Sequence, residues 1–161
     1  MSRHPGAVYG ASKGSAPGSK HYYRAVWSAS KWDEFVETRA TGTVAQVCAG
    51  GSFVGQVRID LLPTPATNVR ADMLALPLRD KSFDTVCCDP SYTIGYPDRV
   101  RLQRELVRVA RQRVLFKAPW LLRGSGWHTT EVVLLASHTV ANVALLSVFA
   151  PPSPGQESLA L

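Results

Sequence analysis

Four apolar runs in this 161-residue chain end in residues that can do chemistry. Val44–Cys48 stops at Ala49-Gly50-Gly51, Val57–Leu62 carries Asp60 and stops at Pro63, Asn68–Ala71 precedes Asp72, and Phe83–Cys88 is halted by Asp89-Pro90. A glycine turn lets the backbone approach a ligand closely. A carboxylate one run further on can accept hydrogen bonds from a ribose diol. Asp72, followed by apolar Met73 and Leu74, can bind an exocyclic amine while the apolar pair covers the face of a ring. Taken singly, each also reads as a turn glycine, a helix N-cap or a loop carboxylate. Their shared place, at the exits of successive runs, makes them a constellation.

The tetrapeptide Asp89-Pro90-Ser91-Tyr92 is the sharpest of these features. The Asp89 carboxylate and the Pro90 carbonyl are acceptors able to hold both hydrogens of an amine and aim its nitrogen. An amine on an aromatic base is a poor nucleophile, its lone pair being delocalised, so a site must favour the tetrahedral form that attacks. Tyr92 can stack on such a base, worth on the order of 1–3 kcal/mol. The alternative is a buried strand ending in an Asp-Pro turn, with Tyr92 a core aromatic.

These residues need a scaffold that gathers run ends on one side. The runs Val44–Cys48, Val57–Leu62, Asn68–Ala71 and Phe83–Cys88 read as strands, the last apolar enough to be buried on both faces. Asp98–Gln112 reads as a helix with Leu102, Leu106, Val109 and Ala110 on one side and Arg101, Arg104, Arg108 and Arg111 on another. Arg113–Lys117 is a fifth strand before Pro119, and Val132–Ser137 with Val140–Phe149 forms a hairpin about His138. This alternation predicts an α/β fold with a mostly parallel sheet and an antiparallel pair at one edge. In such sheets ligands bind beyond the carboxyl ends of the strands, where the constellation lies.

Composition bounds the rest. At 45% hydrophobic and 19% charged the chain can build one core, and its net charge of +6 rests on thirteen Arg and five Lys. An anionic partner is permitted, although the Arg stripe of the helix reads equally as a solvated face. Residues 1–20 (Gly, Ser, Pro) and 151–161 (Pro151, Pro152, Pro154) read as tails flanking a domain over 21–150, whose aromatic segment His21–Phe35 is expected to pack over the body as a helix. Cys48, Cys87 and Cys88 fit neither a disulfide framework nor a metal site, and no metal is expected. Reduced thiols and the lack of an apolar leader predict a cytoplasmic protein. The uncharged stretch Val132–Ala150 is broken mid-span by Ser137, His138, Thr139 and Asn142, so no membrane partner is expected.

With these residues in view, Thr43–Ala150 resembles the class I S-adenosylmethionine-dependent methyltransferases, and among them the amino-methyltransferases with an Asp-Pro-Pro-Tyr-type signature, here Asp89-Pro90-Ser91-Tyr92. The strongest stretch is Asn68–Tyr92, where Ala71-Asp72-Met73-Leu74 and Lys81-Ser82-Phe83-Asp84 precede the signature. The resemblance implies a Rossmann-like fold and S-adenosylmethionine as cofactor. It implies Ala49, Gly50, Gly51 and Ser52 near the methionine part, Asp60 and Leu61 at the ribose, and Asp72, Met73 and Leu74 at the adenine. Asp89, Pro90, Ser91 and Tyr92 would surround the accepting amine, with Asp89 also beside the cofactor. The implied activity is methylation of an exocyclic amine of a nucleobase in DNA or RNA; a small-molecule methyltransferase or a catalytically silent cofactor-binding subunit are the alternatives. A duplex substrate would require base flipping.

Two departures carry consequences. Ser91 replaces the second proline of the signature and restores an N–H. Ser52–Gln56 is too short for a crossover helix, which takes at least about 10–12 residues, and Leu121–His128 is likewise too short before the hairpin. Some covering helices are therefore missing, and the bare sheet faces predict a homodimer or a protein partner. Other chemistries fit less well: Cys87 and Cys88 precede Asp89-Pro90 within a strand and read as core, and the Gly50–Gly55 stretch lacks GxGxxG spacing. Lys117-Ala118-Pro119-Trp120 either lines the substrate side or forms a rigid loop around a packing Trp.

Overall fold

The computed structural model describes residues 31–135 and 144–152. Residues 31–39 form helix α1. Then come β1 (Val44–Val47), β2 (Val57–Asp60), β3 (Val69–Arg70), β4 (Phe83–Cys88), helix α2 (Tyr96–Val109), β5 (Ala110–Ala118), β6 (His128–Leu135) and β7 (Ala144–Ala150). The seven strands make one sheet in the order β3-β2-β1-β4-β5-β7-β6. The first five are parallel; β7 pairs antiparallel with both β5 and β6.

Each face buries its own core. On one, Leu102, Leu106 and Val109 of α2 pack on Val47, Val86, Cys88, Val114, Phe116 and Phe149. On the other, Trp32, Phe35 and Val36 of α1 pack on Val44, Cys87, Leu115, Leu146 and Val148. Alternate residues of β4 and β5 thus serve opposite layers, which is why the stretches Val86–Cys88 and Val114–Phe116 are apolar without interruption. The aromatic segment expected to cover the body does so through 31–39, running on to Val36; residues 21–30 lie outside the described chain.

The expected missing helices are missing. Residues 48–56 between β1 and β2, and 119–127 between β5 and β6, contain only turns, bends and an isolated Gly124–Trp127 bridge. Leu76, Met73, Leu74 and Leu78, from the helix-free connection between β3 and β4, pack onto the α2-side core.

Several boundaries move. The helix expected over Asp98–Gln112 starts at Tyr96, with Gly95 as N-cap and Pro97 in its first turn, where a fixed φ and a missing N–H cost nothing. It ends at Val109 because Ala110 is already extended (φ −77°, ψ 137°), and β5 starts there, three residues earlier than Arg113. Arg111 of the expected stripe bonds Asp84, Lys81 O and Ser82 O. Arg108 bonds Glu105, Asp80, Leu76 O and Leu78 O. Two of the four stripe arginines are therefore internal braces. β2 ends at Asp60, leaving Leu61 and Leu62 exposed beyond it. β6 begins at His128 and not Val132, its register shifting between Thr129 and Glu131. The turn at His138, the expected tail 1–20 and all but residues 151–152 of the expected tail 151–161 lie outside the described residues.

Candidate active site

The carboxyl ends of β1, β2, β3 and β4 share one edge of the sheet, and the residues expected there gather in two adjoining groups. The first surrounds a cleft of about 110 Å³ lined by Val47, Cys48, Ile59, Asp60, Leu61, Ala71, Asp72 and Met73. Four of the residues expected at the cofactor, Asp60, Leu61, Asp72 and Met73, lie on its wall. Leu74 is partly buried beside it, and its N–H donates to Asp72 Oδ1 at 2.9 Å.

The turn after β1 is tied to β2. Cys48 (φ 57°) and Gly50 (φ 54°) both adopt the left-handed region, so the chain leaves the strand sharply. Gly50 N donates to Asp60 Oδ2 at 2.9 Å, Leu62 N donates to Asp60 Oδ1 at 2.9 Å, and Ala49 N donates to Ile59 O at 2.9 Å. Asp60 therefore orients both rims of the cleft. A Cβ on Gly50 would meet nothing within 4 Å, so this backbone faces open space, while Ala49 is buried beneath it.

Ser52 faces inward. Its hydroxyl donates to Asp33 Oδ1 of α1 at 2.6 Å and lies against Gln46. With its amide oriented to satisfy its neighbours, Gln46 accepts from Trp32 Nε1 at 3.2 Å and donates to Val54 O at 3.0 Å. Of the four turn residues expected near the methionine part, Ser52 thus anchors the turn to α1. This buried polar junction was not read from the sequence; no local pattern links Asp33 to Ser52.

The second group lies at the end of β4. The parallel register pairs Cys88 with Phe116, so the next residues, Asp89 and Lys117, are neighbours across two strand ends. Lys117 Nζ donates to Asp89 Oδ2 at 2.6 Å, with the Lys117 side chain 3% exposed and that of Asp89 25%. Burial pushes the Asp89 carboxyl above its ordinary value, and the Lys117 charge pulls against this. Tyr92 OH lies 3.5 Å from Asp89 Oδ1, and burial, then the adjacent carboxylate, push the phenol well above its usual range, so it remains a donor. Pro90 is buried; Ser91 is exposed, its hydroxyl 2.8 Å from that of Thr93.

Tyr92 is not a core aromatic but is 38% exposed, its ring edge-on to Trp120 with centroids 6.3 Å apart. Trp120 packs against Phe116, and the Arg99 guanidinium lies 4.0 Å above its ring. Tyr92, Trp120 and Arg99 thus form an aromatic and cationic shelf beside Asp89, with Tyr96 exposed at the start of α2. Lys117 and Trp120 were open between a substrate side and a packing loop; the first is bound to Asp89 and the second is part of the shelf. Burial holds the Cys87 and Cys88 thiols far above their usual range, which fits core residues and no nucleophile.

No family model and no curated protein matches the chain. Solved structures do match. A chain in the Haloferax volcanii complex containing the Trm112 methyltransferase activator aligns over 95% of this chain and 100% of its own, with TM-score 0.59 and 12% identity. The N-methyltransferase NodS from Bradyrhizobium japonicum WM9 aligns over 88% and 100%, with TM-score 0.57 and 11% identity. A TehB-like S-adenosylmethionine-dependent methyltransferase from Corynebacterium glutamicum aligns over 85% and 100%, with TM-score 0.55 and 13% identity. The chain has the α/β fold of S-adenosylmethionine-dependent methyltransferases. Among the described residues no helix is long and apolar enough to cross a membrane.

Proposed function

We propose that the chain is an S-adenosylmethionine-dependent N-methyltransferase acting on the exocyclic amine of a nucleobase in DNA or RNA. The observation that carries this reading is the placement of Asp89 and the Tyr92–Trp120 shelf on the same sheet edge as the Asp60–Asp72 cleft. The cleft suits a nucleoside: Asp60 and Asp72 offer acceptors for a diol and an aromatic amine, and Leu61 and Met73 offer an apolar wall between them. The open backbone at Gly50 leaves room for the methionine part. S-adenosylmethionine, when bound, supplies an electrophilic methyl on a sulfonium and leaves as a thioether.

The chain's own residues then act on the acceptor. Tyr92 and Trp120 hold the base by ring contacts, and Asp89 Oδ1 with the Pro90 carbonyl accept the amine hydrogens, pointing the nitrogen lone pair along the transfer line. As the nitrogen takes the methyl, Asp89 Oδ1 and the Pro90 carbonyl would keep hold of the amine hydrogens, and the surplus proton would pass to solvent. Exposed Thr93, Gly95 and Tyr96, with Arg101 and Arg104 of the Arg stripe, are the groups we assign to nucleic acid. The reading includes a cytoplasmic location, which three cysteines without disulfide-framework spacing support.

Methyl transfer from labelled S-adenosylmethionine to DNA and RNA oligonucleotides, paired with calorimetry of cofactor binding, tests the reading. Asp89→Ala should lose transfer and keep cofactor binding, whereas Asp60→Ala should weaken cofactor binding at least about tenfold, equivalent to about 1.4 kcal/mol. A wild type that binds no cofactor at millimolar concentration refutes the reading.

A further inference from the structure

We infer that Lys117 determines acceptor specificity, by neutralising Asp89 so that the site takes neutral aromatic amines and rejects protonated alkylamines. This rests on the N-methyltransferase reading above. A lone carboxylate at the mouth of an apolar shelf would be a good receptor for an ammonium ion. Here the carboxylate already has a cation: Lys117 Nζ lies 2.6 Å from Asp89 Oδ2, on a side chain 3% exposed and set by the β4–β5 register. Oδ1 remains, facing the Tyr92 hydroxyl, and can accept one hydrogen from a neutral amine.

The charges around this point are uneven. Among the described residues Asp89 carries the acid of the group; Lys117 faces it from β5, and Arg99 from α2 lies 4.0 Å from the centroid of the Trp120 ring. Asp98, on the same helix as Arg99, has its own partner in Arg101 at 3.7 Å. An incoming ammonium would have to approach a paired carboxylate with a second cation on the shelf, whereas a neutral exocyclic amine meets an acceptor without a charge penalty. A polyanionic substrate would gain from the same excess.

The inference predicts a difference between ligands of similar size. With S-adenosylhomocysteine present at neutral pH, calorimetry on the wild type should show binding of 9-methyladenine or 1-methylcytosine and at least about tenfold weaker binding of benzylammonium. Lys117→Met and Lys117→Gln should each lower that preference about tenfold or more, and Lys117→Arg should retain it. The Gln variant keeps a donor on Asp89 without the charge, so it separates charge from positioning and carries the test if the Met variant does not fold. Variants that keep the wild-type preference, or a wild type that binds benzylammonium as well as the bases, overturn the role of Lys117 and leave the transferase reading standing. A cofactor-binding wild type that takes neither base overturns the nucleobase reading and this inference together.

Discussion

At the scale of single residues, Asp89 is the group whose state decides the proposed chemistry. A protonated carboxyl cannot accept an amine hydrogen on the same oxygen, so transfer should fall as pH drops through its titration. Burial raises that titration above the ordinary carboxylate range, so the acid limb of the rate profile should lie above the pH expected of an exposed Asp. The Lys117 charge opposes the rise. Removing it in Lys117→Met should therefore move the limb to still higher pH, and a pH–rate profile of both proteins checks the sign. Asp89 was legible as a candidate because an aspartate and proline closing an apolar run stand out locally. Lys117 was legible only as a residue of the substrate side or of a packing loop, and its pairing with Asp89 was not, since the two become neighbours only when β4 and β5 are set in register, 28 residues apart.

Elements show the same division between what a pattern reveals and what packing decides. Every strand expected in the parallel half of the sheet is present, because apolar runs bounded by Gly, Pro and Asp mark strands well. The junction of α2 and β5 was misplaced by three residues for a physical reason. Arg108 and Arg111 continue the helical spacing of Arg101 and Arg104, yet Ala110 pairs with Phe83 and starts a strand. The pairing prevails because the run from Val114 to Ala118 must be buried between two layers, and Arg111 bonds Asp84 from its place on the strand. α1 is the element on which the opposite layer depends. Trp32 is 1% exposed within that layer, so Trp32→Ala should cost about 3–5 kcal/mol, measured by urea denaturation. If α1 also anchors the turn through Asp33 and Ser52, the variant should lose cofactor affinity at temperatures where it is still folded.

At the scale of the whole molecule, the sheet of the described residues ends in an unequal pair of edges. β3 is two residues long, whereas β6 runs for eight and shows Val132 and Leu134 to solvent, 47% and 62% exposed. Its acidic residue, Glu131, is bonded by Arg39, so no free charge at that position blunts the edge. The homodimer was expected from bare sheet faces; we propose this edge in their stead, since antiparallel pairing of two such strands across a two-fold axis would satisfy both edges at once. Sedimentation at micromolar concentration should give a dimer, and Leu134→Lys should return it to monomer; a monomeric wild type sets the expectation aside. A nucleic-acid partner has its own signature at this scale, since phosphate contacts make affinity fall steeply with salt.

The bond between Arg39 and Glu131 joins residues 92 positions apart, and Trp32 rests on Leu146 and Val148 from the last strand. During synthesis α1 emerges early and has no complete surface to settle on until the final hairpin has left the ribosome. The layer that anchors the turn after β1 is therefore the last to close. Chains interrupted before β7 should display an open tryptophan-bearing helix, a natural target for chaperones.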